Sequence, residues 1–337
     1  MIFRQANQIM LASAAILLYS LAVHGQTPAT PVTKTASPVT VQIIPVSMTN
    51  EQVAATINGE KIYVGDVKKI LDQSPYPVAL KEDQKKQLRL AALEVLIEDI
   101  LMRQSLNKQA PPVSPAEYNA KLQEFTEALK KTDKTIDQFV NESGQTKEQL
   151  QRDIIAQCQW RSLLNRQYPE EKLKPYYDAN KPYFDKIYVK ASHILIKLSP
   201  KATKEERDLA MQKMQVWRQE IVTGKSSFED IARKYSDCTA SKGKGGDVGQ
   251  FPYKFVVVPE FASAAYALPE GGVSDVVQTP IGLHLIKLTE RSKGEPSNFE
   301  KLREVIREVM AQDDDLYKRL LTEQRRVSAI DITAQWK

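Results

Sequence analysis

Apolar and polar positions change rhythm three times along this chain. From Val53 to Ile62 short apolar runs flank Asn58-Gly59, which predicts a strand, a tight turn and a second strand. Over residues 84–107 the period lengthens. Leu88, Ala92, Val95 and Leu96 form one stripe and Leu93, Ile97, Ile100 and Leu101 the next, so the spacing predicts a helix buried on more than one side. Ser114 with Glu117, Thr135 with Gln138, and Thr146 with Gln149 read as capping boxes that open three more helices. Pro115 suits a first helical position and Gly144 a helix stop. The helix from 147 is expected to turn Leu150, Ile154, Cys158, Leu163 and Leu164 inward.

At Ile187 the pattern becomes strand, helix, helix, strand. Thr203 with Glu206 caps a helix carrying Ala210, Met214, Trp217 and Ile221 on one face, ended by Gly224. Ser226 with Glu229 is expected to open a shorter one carrying Phe228, Ile231 and Tyr235. Lys242 to Gly249 reads as a Gly- and Lys-rich loop, Glu260 to Leu268 as a short helix, and Val273 to Leu288 as two strands. After Gly294-Glu295-Pro296 the helical period returns. Ser297 with Glu300 is expected to cap it, and Phe299, Leu302, Ile306, Val309 and Leu316 carry the stripe to about Leu321. Asp313-Asp314-Asp315 reads as a solvated helix face, and Val327 to Ile332 as a closing strand. The expected architecture is α+β: a small domain over 186–292, inserted in a mainly α-helical domain made from 51–185 and 293–337.

The N-terminus adds a compartment. Arg4, the apolar run Ile9 to Val23 and the Val23-His24-Gly25 junction read as an export signal over residues 1–25, cleaved after Gly25, with an uncleaved N-terminal anchor as the alternative. Pro28, Pro31, Pro38 and Pro45 mark residues 26–50 as a Pro- and Thr-rich tether. No cysteine follows the apolar run to accept a lipid, so the expectation is an exported, periplasmic protein with no integral membrane span after cleavage. The net charge of +5 includes Arg4 and is spread along the chain without a basic tract, which argues against a nucleic-acid partner. Cys158 falls in a helix and Cys238 in a loop of a different domain, so no disulfide is expected.

Candidate chemistry centres on two histidines. Strand alternation puts Val189, Ala191, His193 and Leu195 on one face, and His284, Ile286 and Leu288 on one face of another strand. A polar ring on a buried face needs a partner, and each histidine could be the other's. With Cys238 and the nearby apolar residues, they suit an apolar groove with a few polar groups. Two further readings of the same residues stay open at this level: a purely structural histidine pair, and a Cys-His nucleophile. A metal site is not expected, because two histidines and one cysteine lack close ligand spacing.

In order and spacing, Ser192-His193-Ile194-Leu195-Ile196-Lys197, Phe228 to Ala232, Tyr235-Ser236-Asp237-Cys238, Gly245-Gly246-Asp247-Val248-Gly249, Phe261 to Leu268 and Gly282 to Ile286 closely resemble the parvulin family of peptidyl-prolyl cis/trans isomerases. The resemblance implies a small antiparallel sheet flanked by helices that acts on Xaa-Pro bonds without a cofactor. It implies His193 and His284 as the paired active-site histidines, Cys238 at the position that holds Cys or Asp, and Thr279 as a hydroxyl between the histidines and the substrate. It implies Phe251, Val256 or Val257, and Phe261 as the proline pocket; this chain has one extra residue before Phe261. The basic cluster of phospho-specific parvulins has no counterpart after Lys197. The flanking helices resemble the chaperone module of SurA- and PrsA-type exported foldases, which implies unfolded or nascent exported proteins as partners. The rival expectation is a non-catalytic peptide-binding chaperone that keeps the parvulin fold as a scaffold.

Overall fold

The computed structural model describes residues 49–72, 80–334 and 336. The leader expected over 1–25 and nearly all of the tether expected over 26–50 lie outside the described residues. The chain divides into two compact units, one built from the chain before Glu170 and after Arg307, the other from Glu170 to Arg307.

In the first unit, β1 (Val53–Ile57) and β2 (Glu60–Tyr63) form the expected hairpin. Asn58 and Gly59 both adopt positive φ, as a two-residue turn of that hand requires. The helix Glu82–Gln109 buries Ala92, Leu93, Ile97, Ile100 and Leu101, spanning both apolar stripes. Ser114, Thr135 and Thr146 each accept a hydrogen bond from the backbone N–H three residues on, as the boxes predict. The helix Lys147–Gln167 buries the five residues expected to face inward, and Cys158 and Cys238 are both free.

The second unit holds four further strands, β3 (Tyr188–Lys197), β4 (Asp247–Pro252), β5 (Val277–Thr279) and β6 (Gly282–Arg291). They form one antiparallel sheet in the order β4-β3-β6-β5. Alternation along the strands sorts the two faces. Ile194, Leu283 and Leu285 pack with Ala210, Met214, Phe228 and Ile231 from the helices Lys204–Val222 and Phe228–Tyr235. Val189, Ala191, Ile286 and Leu288 pack with Phe251, Phe261 and Ala265, the last two from the helix Pro259–Ala267. A last strand, β7 (Ile330–Ile332), returns to pair with β1 in the first unit.

Four local expectations fail for physical reasons. Residues 242–249 are not a loop throughout: a one-turn helix, Thr239–Lys242, precedes them, and Asp247 already pairs in β4 against Ser192. The shorter helix is capped by Ser227, whose hydroxyl accepts from Asp230 N–H, and not by Ser226. Ser297 does not cap the returning helix either. Its backbone N–H and hydroxyl both donate to Asp185 at 2.9 and 2.6 Å, and Asn298 accepts from Lys301 N–H instead. The final helical pattern is two helices, Phe299–Asp313 and Leu316–Arg326, because Asp315 turns left-handed at φ 49° and ends the run expected to be a continuous face. The helices Glu170–Ala179 and Lys181–Phe184 were not expected. They belong to the second unit, which therefore reaches beyond 186–292 on both sides.

Candidate active site

β3 and β6 are paired so that Leu195 lies opposite His284 and Ile286 opposite His193. Both histidines thus project from the same sheet face, one residue pair apart. Their Nδ1 atoms meet at 3.2 Å and the rings overlap at 5.4 Å with a 26° tilt. Only one proton can lie between two facing nitrogens, so the pair holds opposite tautomers. The outer nitrogens are also partnered. His193 Nε2 lies 3.1 Å from Ser241 Oγ, and His284 Nε2 lies 2.8 Å from Thr279 Oγ1. Ser241, His193, His284 and Thr279 therefore make one continuous chain of buried hydrogen bonds.

Burial lowers both histidines to about 4, and the His193 charge adds to the effect on His284. Both rings are neutral at pH 7. Neutral rings can relay or orient a proton through the hydroxyl-capped chain, but they place no cation beside a substrate.

Phe261 stands edge-on to both imidazoles, 5.6 Å from His193 at 76° and 5.5 Å from His284 at 83°. Phe251 lies 5.8 Å from Phe261. The structure brings Phe251, Phe261 and Val257 into one apolar cluster, with both Phe rings nearly closed off and Val257 only partly covered. Val256 is left out of it and is 63% exposed. Tyr266 anchors the helix that carries Phe261, its hydroxyl donating to Ile187 O at 2.6 Å and Phe251 O at 3.2 Å.

Cys238 is part-exposed and stands immediately before the helix Thr239–Lys242, its carbonyl accepting from Ser241 N–H and Lys242 N–H. The turn it begins is thus the one that aims Ser241 at His193. Ser241 was missed in the sequence. Its one signal was its position three residues after the cysteine, which matters only once that stretch is known to be helical.

Two glycines explain motifs that composition alone leaves mute. Gly246 takes φ 90°, its carbonyl accepts from His193 N–H at 2.9 Å, and any Cβ there would collide with the His193 carbonyl oxygen. Gly282, at φ 144°, leaves no room for a Cβ beside the Ile196 carbonyl. Each holds the backbone of one histidine strand in close approach to a neighbour.

The family model of the rotamases, the PPIC-type PPIASE domain, matches residues 193–290. The chain belongs to the parvulin-type peptidyl-prolyl cis-trans isomerases, and its inserted unit carries that enzyme activity. Over 114 residues it is 40% identical to the peptidyl-prolyl cis-trans isomerase Pin1 of Arabidopsis thaliana, covering 30% of this chain and 94% of that protein. The likeness to foldase protein PrsA runs further along the chain. It is 30% identical to PrsA of Caldanaerobacter subterraneus subsp. tengcongensis over 250 residues, covering 70% of this chain and 72% of the relative. It is 25% identical to PrsA of Clostridium botulinum (strain 657 / Type Ba4) over 303 residues, covering 82% and 86%. Among the described residues no helix is long and apolar enough to cross a membrane.

Proposed function

We propose that this isomerase acts on Xaa-Pro bonds of unfolded exported proteins, with the proline ring gripped at Phe251, Val257 and Phe261 and the carbonyl side facing Cys238. The observation that carries the reading is the edge-on contact of Phe261 with both neutral histidines, which joins an apolar ring-sized wall to a fixed polar network. Amide resonance sets a barrier of roughly 18–20 kcal/mol to rotation. An Xaa-Pro bond is the natural target because its cis form lies only about 0.5–1 kcal/mol above trans. No bond need break. The site need only hold the twisted amide better than the planar one, and a thousandfold acceleration needs about 4 kcal/mol of such preference. Apolar walls favour the twisted form, whose carbonyl is less polarised and loses less on leaving water. His193, His284 and Thr279 act in this reading by holding the wall and the Cys238 edge in place.

The helices of the first unit, before Glu170 and after Arg307, supply a holding surface for unfolded chains, and the protein works after export, in the periplasm. The likeness to proteins named foldase over more than two thirds of the chain supports the holding role, and the leader read at residues 1–25 supports export. The test is exchange of an unphosphorylated Ala-Pro tetrapeptide by the full chain, with Phe261→Leu and Phe261→Ala beside it. Acceleration that falls at least tenfold in both folded variants is expected. Activity that survives both would remove Phe261 from the pocket.

A further inference from the structure

The loop between β4 and the helix Pro259–Ala267 carries a backbone conformation that its sequence should resist. Phe255 adopts φ 70°, in the left-handed region that a bulky residue rarely enters. It does so at the surface, where the residue is 42% exposed. Such conformations persist only where the surroundings over-determine them, and they gather at ligand-contacting positions. The surroundings here are specific. Tyr183 meets the Phe255 ring edge-on at 5.7 Å and 87°, and the Lys254 ammonium lies over both Phe255, at 5.7 Å, and Tyr176, at 5.4 Å. Tyr176 and Tyr183 come from the helices Glu170–Ala179 and Lys181–Phe184, which precede the stretch that matches the isomerase family model.

The same loop walls the proposed proline pocket. Phe251 lies four residues before Phe255 and Val257 two after it, and both belong to the cluster around Phe261. Next to the covered wall the loop thus presents an uncovered apolar step, Phe255 and the 63%-exposed Val256. A peptide whose proline enters the pocket must carry its adjoining residues across the rim.

We propose that Phe255 is a specificity-determining residue: held out by Tyr183, it forms with Val256 a subsite for a large apolar or aromatic side chain flanking the substrate proline. The proposal rests on the pocket reading given above. It gives the helices Glu170–Ala179 and Lys181–Phe184 a part in substrate selection, since they prop the subsite without belonging to the matched domain. The strain is functional, because glycine, which adopts φ 70° freely, has no side chain to offer, and Asn or Asp would offer a polar one.

The substitution Phe255→Gly separates the two roles of the residue, because glycine accepts the backbone and removes the ring. The full-length protein and this variant are compared on tetrapeptides in which the residue before or after proline is Ala, Glu, Leu or Phe. The expected result is a thermal midpoint equal to or above that of the parent, an unchanged kcat/KM for the Ala peptides, and a three- to tenfold loss confined to Leu and Phe peptides and carried by KM. Tyr183→Ala gives the same pattern more weakly. An equal loss on every peptide, no loss on any, or a loss confined to the Glu peptides overturns the proposal. Failure of the parent on all peptides, or full activity of Phe261→Ala, would instead strike the pocket reading, and the Ala-Pro control tells the two apart.

Discussion

His193 and His284 share one proton between their Nδ1 atoms, and each is closed at its far nitrogen by a hydroxyl, Ser241 for the first and Thr279 for the second. Every nitrogen of the pair therefore has a partner, and a ring that gains a proton must at least reverse the hydrogen bond to its hydroxyl. The chain of four makes the histidines a rigid bracket between β3, β6 and the turn after Cys238.

The bracket ties stability to pH. Both rings resist protonation until about pH 4, whereas in the unfolded chain they take up protons near 6.5. Between those values the unfolded state binds more protons, so stability is full above about pH 6.5 and falls as pH drops toward 4. The slope approaches about 1.4 kcal/mol per pH unit per histidine. Urea unfolding at pH 7, 5.5 and 4.5 measures it. A stability that stays level over that window would show that the rings titrate as freely in the fold as outside it.

Removing either hydroxyl strands a buried imidazole nitrogen. Thr279→Val and Ser241→Ala should each cost about 1–3 kcal/mol. Because the two caps act on one shared proton, the double variant should cost less than the sum. A double-mutant cycle reads this coupling, and strict additivity would mean that the four groups act as independent pairs.

Cys238 offers a sharper contrast. A nucleophile replaced by serine or aspartate would lose activity by orders of magnitude, whereas a thiol that only borders a twisted amide should tolerate both. Cys238→Ser and Cys238→Asp are expected to keep kcat/KM within about tenfold of the parent. Peptide exchange rates for the two variants check this, and a loss near a thousandfold in both would restore covalent chemistry to consideration.

Gly246 and Gly249 differ in a way that stability should report. Both take positive φ, but a Cβ at Gly246 meets the His193 carbonyl while one at Gly249 meets nothing within 4 Å. Gly249→Ala should cost about 1 kcal/mol for its backbone alone, and Gly246→Ala clearly more. Thermal midpoints of the two variants make the comparison, and equal shifts would argue that β3 can yield at His193.

Much of this was legible beforehand because it rests on local rules. The period of two put the histidines on one face with Val189 and Ile286, and the boxes at Ser114, Thr135, Thr146 and Thr203 set helix starts within a residue. What escaped depended on distant partners. Ser297 looks like a cap, yet Asp185 claims both its donors from across the sequence. The Asp313-Asp315 run looks like a solvated face, but at Asp315 the backbone reverses hand. Ser241 carries no pattern of its own, and Val256 and Val257 are chemically alike, so only the path of the loop covers one and exposes the other.

The Asp185–Ser297 contact also bears on how the chain assembles. Lys186 pairs with Glu295, Glu295 N–H donates to Asp185 O, and Tyr177 reaches Ser297, so the two strands of chain that lead into and out of the isomerase sheet are fastened together at its base. The first unit must join segments far apart: Thr333 bonds Val53 across 280 positions. For an unfolded chain that closure is slow and entropically opposed. Once the sheet of β3 to β6 has folded and its base is fastened, the intervening hundred or so residues behave as a short connector. If the enzyme unit folds before the first unit closes, the first unit is closed across a far shorter effective loop than its sequence separation demands.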